Sequence, residues 1–253
     1  MLKRIILACS LAAVSSFATW DLFPVLENHK GQVKLGSTMS YREYKDTTLY
    51  ALTLRAGARY TVIQDLELAL DLPYRALTYI DGENADIDGF GNLHFSTRYQ
   101  FIPIMNVFVD IYAPVWHIDE GSWNVDVGLQ FSRQIDQLLS FGSQLGAGFT
   151  IPHDFDYAFI DVYGSACIRF AVTPQFTPYF GPSFDFYLGQ YSNEKHHYSH
   201  VGGNLYLGPY VGAIYDFNDF VSIDFWAKMG QDVKVKDYFD PTISTGLYVL
   251  INF

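Results

Sequence analysis

The strongest constraint on the fold is an alternation of apolar and polar side chains with a period of two, sustained over unusually long runs. In NVDVGLQFSRQ, residues 124 to 134, one face carries Val125, Val127, Leu129 and Phe131, and the other Asn124, Asp126, Gly128, Gln130 and Ser132. In VSIDFWAKMGQD, Val221, Ile223, Phe225, Ala227 and Met229 alternate with Ser222, Asp224, Trp226, Lys228, Gly230 and Asp232. This period signals a strand and excludes an amphipathic helix. Sandwich strands in soluble proteins run to about five or six residues, whereas a tilted strand crossing a bilayer needs about 9–11. The longer span is the one seen here. The fold class it predicts is all-β, a transmembrane antiparallel up-and-down β-barrel with lipid outside and a polar interior.

Interruptions between the runs fall into two kinds. Short ones occur at Ile63–Asp65, Ile102–Ile104, Asp136–Gln137, Thr173–Gln175 and Asn218–Asp219. More polar and mostly longer ones occur at Tyr44–Asp46, Asp81–Asp86, His117–Gly121, His153–Asp156, Ser192–His200 and Lys236–Asp240. Alternating short turns and longer loops are the layout of outer-membrane barrels. They delimit about twelve strands, over 31–43, 47–62, 65–80, 87–101, 105–116, 122–135, 139–152, 157–172, 175–191, 201–217, 220–235 and 242–253. Glycines recur on the inward face at 128, 142, 146, 148, 208 and 212. Tyr60, Tyr74, Tyr99, Phe101, Phe176, Tyr215 and Phe217 gather at strand ends, as an aromatic girdle at the membrane boundary requires.

The start of the chain fits export. Lys3 and Arg4 precede an apolar run from Ile5 to Val14 and a small-residue close at Ser16 and Ala18, the pattern of a secretory signal peptide. The expected division is a signal peptide over 1–18 and a barrel domain over 19–253. Without the leader the chain carries 14 Lys and Arg against 27 Asp and Glu, a formal charge of −13, which argues against a nucleic-acid partner. Cys167 is then the remaining cysteine, so no intrachain disulfide framework is expected.

Placing the polar face of each strand inward gives a charge map. The early strands contribute a basic wall of Lys34, Arg42, Arg55, Arg59, Arg75 and Arg98, interrupted by Glu67 and Asp71. The later strands contribute an acidic wall of Asp110, Asp126, Asp161, Asp185 and Asp224, interrupted by Arg169 and Lys228. Opposed walls set up a transverse field in a water-filled pore and orient polar solutes. The same charges can instead pair across a narrow barrel and plug it. Twelve strands lie between small filled barrels of about eight and open porins of 16–18. Inward aromatics accompany the acidic wall at Tyr112, Trp116, Tyr163, Tyr179, Tyr187, Tyr206, Tyr210, Trp226 and Tyr248, and such faces suit aromatic or sugar-like solutes.

Three local resemblances add to this reading. The segment LELALDLPYRALTY followed by DGFGNLHFSTRYQF, with Gly89-Phe90-Gly91-Asn92-Leu93 at its centre, resembles a family of bacterial outer-membrane transporters labelled the MetA pathway of phenol degradation, with Asn92 where Asp is usual. That resemblance implies a channel or transporter for small compounds, hydrophobic ones included, and brings no catalytic residues. Gly91-Asn92-Leu93-His94-Phe95-Ser96 resembles the core of outer-membrane phospholipase, which implies a lipid hydrolase using a His94/Ser96 pair. However, Thr97 and Arg98 stand where that family has Asn-Gly, and the alternation turns His94 and Ser96 inward, away from lipid. Finally, Gly246, Leu247, Val249, Ile251 and Phe253 resemble the C-terminal sorting signal of bacterial outer-membrane proteins, which implies recognition by the barrel-assembly machinery.

The loop cluster Glu194-Lys195-His196-His197-Tyr198-Ser199-His200 offers several imidazoles, but histidines in a solvated loop are more often unligated, and neither a metal nor another cofactor is expected. The sequence therefore points to a Gram-negative outer-membrane barrel in contact with lipid and lipopolysaccharide. Its expected role is that of a non-enzymatic passive channel for small polar or aromatic solutes, with the lipid hydrolase and the plugged structural barrel as alternatives.

Overall fold

A computed structural model describes residues 25–44, 47–85, 88–115, 123–151, 157–192, 197–199, 205–233 and 241–253. The proposed leader, Trp116 and most of the histidine-rich loop lie outside them. Twelve strands form the wall: β1 (Gly31–Tyr44), β2 (Thr47–Ile63), β3 (Leu66–Ile80), β4 (Leu93–Ile102), β5 (Met105–Ala113), β6 (Trp123–Gln134), β7 (Leu139–Ile151), β8 (Tyr157–Phe170), β9 (Phe176–Ser192), β10 (Leu205–Asp216), β11 (Val221–Asp232) and β12 (Pro241–Asn252). Each pairs antiparallel with its sequence neighbours. The circle closes where β1 meets β12, in register from Gln32↔Asn252 to Arg42↔Thr242. Gly31 and Phe253 exchange both backbone hydrogen bonds, at 2.9 and 3.0 Å, so the seam is laddered to its end. Closure leaves no unpaired edge, the condition for a sheet in lipid.

Burial along the strands is that of an inside-out protein. The outer positions are apolar and exposed, as at Leu35, Leu54, Leu70, Phe95, Leu145, Phe180, Val211 and Leu247. The inner positions are polar and buried, as at Gln32, Arg59, Glu67, Asp71, Arg98, Gln130, Arg169 and Asp224. Only a lipid solvent makes this arrangement favourable, since in water it would expose the apolar surface and bury the charges.

The short turns are held by their own side chains. Asp136 accepts from the backbone N–H groups of Leu138 and Leu139, both at 2.8 Å. Asn218 does the same for Phe220 and Val221 at 2.9 and 3.0 Å, as Asx residues do in turns. Between β2 and β3 the turn is two residues, with Asp65 at φ 66°, a left-handed conformation that Asp tolerates.

The structure revises the fourth predicted strand, 87–101. Its start is a separate piece, Gly89–Phe90, paired with Tyr74 and Arg75 of β3. Gly91 then donates to the Pro73 carbonyl at 3.0 Å, and β4 proper begins at Leu93. Gly89 opens the separate piece with a φ of 135°, a conformation open to glycine and poorly accessible to other residues. Two further short pieces, Glu83–Asn84 and His197–Ser199, extend β3 and β9 beyond the wall.

A weaker belt crosses four strands. Pro182 of β9 sits directly opposite Pro209 of β10, and neither has an N–H to donate. On one side the β8–β9 ladder keeps its register but is unpaired between Ser165↔Ser183 and Ile168↔Phe180. On the other, the β10–β11 ladder keeps its register but is unpaired between Leu207↔Gln231 and Tyr210↔Lys228. Gly181 and Gly208 lie in these gaps, where an added Cβ would run into the carbonyls of Ala166 and Met229.

The chain just before β1 also reaches the interior. Leu26 donates its N–H to Glu67 Oε2 at 3.1 Å and accepts from Thr61 Oγ1 at 2.9 Å. The segment 25–30 is thereby tied across the turn end beside β2 and β3.

Candidate functional site

The interior of the barrel is the candidate site, and its charges are partly paired. The two carboxylates that interrupt the basic wall are its hubs. Asp71 binds Lys34 Nζ at 2.8 Å and Arg55 Nη1 at 3.3 Å. Glu67 lies 3.6 Å from Arg59 Nη1 and 4.0 Å from Arg98 Nη1. Arg59 continues the network by donating to Gln32 Oε1 at 3.1 Å, and Gln32 donates to Asn252 Oδ1 at 2.7 Å across the closing seam. Arg59 and Glu67 are each only 1% exposed, so the turn end beneath β1–β4 is packed solid. Arg42, by contrast, is exposed towards the loops, and Arg75 is half-buried.

The acidic wall is assembled from neighbouring strands. Asp110 and Asp126 face each other in register between β5 and β6. Asp110 contacts His94 Nε2 at 3.4 Å, while Asp126 accepts from the Tyr163 hydroxyl at 3.3 Å. Asp161 packs over Gly148. Asp185 is opposite Tyr163 and Tyr206 in register and is exposed. Asp224 is buried and accepts from the Tyr179 hydroxyl at 2.8 Å.

The inward aromatics lie against the wall because glycines make room for them. A Cβ at Gly146 would collide with the Tyr163 ring, one at Gly212 with Tyr179, and one at Gly246 with Trp226. Tyr210 donates to the Ala166 carbonyl at 3.0 Å. Tyr187 pairs with Asp161 in register and packs on Phe159, with centroids 6.0 Å apart. The Arg169 guanidinium lies over the Tyr179 ring at 5.6 Å, and Lys34 over Tyr248 at 5.1 Å, both within cation–π range. Tyr112 stacks on His94 with centroids 4.3 Å apart and planes 8° from parallel.

Among the described residues, space remains in at least two places. One cavity of about 330 Å³ is bordered by Thr53, Arg55, Asp71, Arg75, Asn92, His94, Tyr112 and Asn124. A second, of about 440 Å³, is bordered by Lys34, Arg55, Gln144, Ser165, Tyr179, Tyr210, Asp224, Trp226 and Tyr248. Arg55 is a wall of both.

His94 and Ser96 share the inner face of β4 as expected, but they do not form a dyad. The imidazole turns to Asp110, and Ser96 lies opposite that same carboxylate in register rather than against the imidazole. No group of three or more His, Cys, Asp or Glu among the described residues is arranged to hold a metal ion. Glu194, Lys195, His196 and His200 lie outside those residues. Leu247, Val249, Ile251 and Phe253 point outward from β12, and Gly246 is buried beneath Trp226. Cys167 is buried against Tyr179 and Ile214.

Sequence reasoning passed over Phe108, which is 1% exposed and would touch a Cβ at Gly128 or Gly146. Its even position on β5, in phase with Asn106 and Asp110, was the available signal. Leu26 was also passed over. It precedes the alternating pattern, and nothing in its own residue type marks it.

No protein-family model matches the sequence, and no curated protein matches it. Solved structures do. An outer-membrane channel from Pseudomonas putida F1 superposes with a TM-score of 0.73 over 93% of this chain and 99% of its own, at 12% identity. The CymD monoaromatic hydrocarbon channel gives 0.51 over 96% and 97%, at 10% identity. The translocator domain of the autotransporter NalP from Neisseria meningitidis gives 0.54 over 100% and 96%, at 10% identity. At these identities the likeness is one of fold, and that fold is the outer-membrane β-barrel.

Proposed function

We propose that this barrel is a passive channel of the bacterial outer membrane for small polar or aromatic solutes. The observation that carries the reading is the pair of cavities that share Arg55 as a wall, inside a closed barrel whose outer surface is apolar. A space-filling interior would leave no such volumes, and a soluble barrel would not carry its apolar face outward. Two of the barrels it resembles are themselves described as channels, one of them for monoaromatic hydrocarbons, and the inward Tyr and Trp side chains here suit similar solutes. On this reading the wall residues Lys34, Arg42, Arg55, Arg59, Arg75 and Arg98, with Asp110, Asp126, Asp161, Asp185 and Asp224, set the field along the path. The outward face of β12, with Gly246 and Phe253, serves recognition by the barrel-assembly machinery, and the outer surface contacts lipid and lipopolysaccharide. Nothing in the His94/Ser96 geometry supports a lipid hydrolase, because Ser96 is 1% exposed and faces away from lipid.

The test is single-channel recording of the refolded protein in planar bilayers. Discrete conductance steps support the channel. A correctly folded barrel that inserts and stays silent overturns it and favours a plugged structural role.

A further inference from the structure

We infer that the cavity beside β3 and β4 is a binding site for monoaromatic carboxylates, an inference that names the solute class for the channel reading. Its charge is the first argument. Arg75 borders this cavity and has no ion-pair or hydrogen-bond partner among the described residues, although Lys34, Arg55, Arg59 and Arg98 cluster on Asp71 and Glu67. A guanidinium held half-buried without a counter-ion is a standing demand for an anion. Arg55 borders the same space with one edge committed to Asp71 and its side chain still 35% exposed. Two planar guanidinium groups match a carboxylate better than a halide or an amine, because each fork can donate to two oxygens at once.

Ring recognition is the second argument. His94 and Tyr112 also border the cavity, stacked nearly parallel on each other, so one flank is aromatic and a solute ring can pack against it. Asn124 borders it as well, and its side-chain oxygen lacks a hydrogen-bond partner among the described residues. The volume, about 330 Å³, falls at the lower end of the range of about 300–1,000 Å³ typical of small-molecule sites, which suits a single ring. Fixed cations and a ring surface in one cavity select for a solute carrying both features. An uncharged arene would leave Arg75 unpaired, and a simple carboxylate would leave the ring surface unused.

Calorimetric titration of the refolded protein in detergent with sodium benzoate, toluene and sodium acetate tests this. Benzoate is expected to bind saturably and more tightly than either of the others. Arg75→Gln should weaken benzoate at least about tenfold, the loss expected for one charge-assisted hydrogen-bonded contact. Arg75→Lys should lose less, and Arg133→Gln, at an exposed outer position of β6, should change nothing. Toluene binding as tightly as benzoate, or an Arg75→Gln protein that titrates like the wild type, overturns the inference. Should Arg75→Gln fail to fold, the comparison of benzoate with toluene on the wild type decides alone. Binding in detergent needs no ion flow, so conductance without benzoate binding removes this site and spares the channel. Benzoate binding by an electrically silent barrel does the reverse.

Discussion

At the scale of single residues, Asp71 shows what the interior asks of a side chain. It is 2% exposed and neutralises two cations from two different strands. Asp71→Asn removes the carboxylate that Lys34 and Arg55 share. Removing one member of a buried ion pair typically costs about 3–5 kcal/mol, so urea unfolding of the variant in detergent should shift by an amount of that order. A shift below about 1 kcal/mol would place Asp71 among weakly coupled surface pairs. The sequence showed that Asp71 points inward but placed it as an exception to a basic wall. Lys34 and Asp71 are brought together by the stagger of β1 against β3, and stagger depends on the closed barrel as a whole. The same limit hid the contact of His94 with Asp110 on the neighbouring strand.

At the scale of an element, each strand has two faces with opposite tolerances. Leu247 lies outward near the middle of β12 and is exposed. Leu247→Arg would put a charge into hydrocarbon, and folding into lipid vesicles should lose about 2–4 kcal/mol if that position lies at the bilayer midplane. On the inner face the limit is volume. Gly212→Val would drive a side chain into the Tyr179 ring and dislodge its hydrogen bond to Asp224. Overpacking of this kind costs about 1–3 kcal/mol, measurable as a lower unfolding midpoint, while Ala213→Val on the lipid side should be nearly neutral. Period-two alternation made the two faces legible for every strand. It could not show why the inner glycines are there. A glycine and the ring that covers it belong to different strands, as Gly246 and Trp226 do, and only the pairing register unites them.

For the whole molecule, the distribution of packing matters more than any one charge. The turn end beneath β1–β4 is filled by Arg59, Glu67, Gln32 and the tethered Leu26, while open volume collects above it and towards β9–β12. Thr61→Val keeps the shape of the side chain and removes the hydroxyl that holds the Leu26 carbonyl. If the segment 25–30 restricts the path, this variant should conduct more than the wild type in planar bilayers; an identical conductance would place the restriction elsewhere. The overall architecture was readable from strand length and loop asymmetry, because a membrane imposes both on any barrel. The filling of the lumen was not, since side chains from distant strands share it. The paired prolines, finally, give the barrel an uneven circumference. Opposite Pro182 and Pro209 the hoop has fewer fasteners than at the β1–β12 closure, so heat should unzip it first among β8–β11, and the last staves to part will be those joining the two ends of the chain.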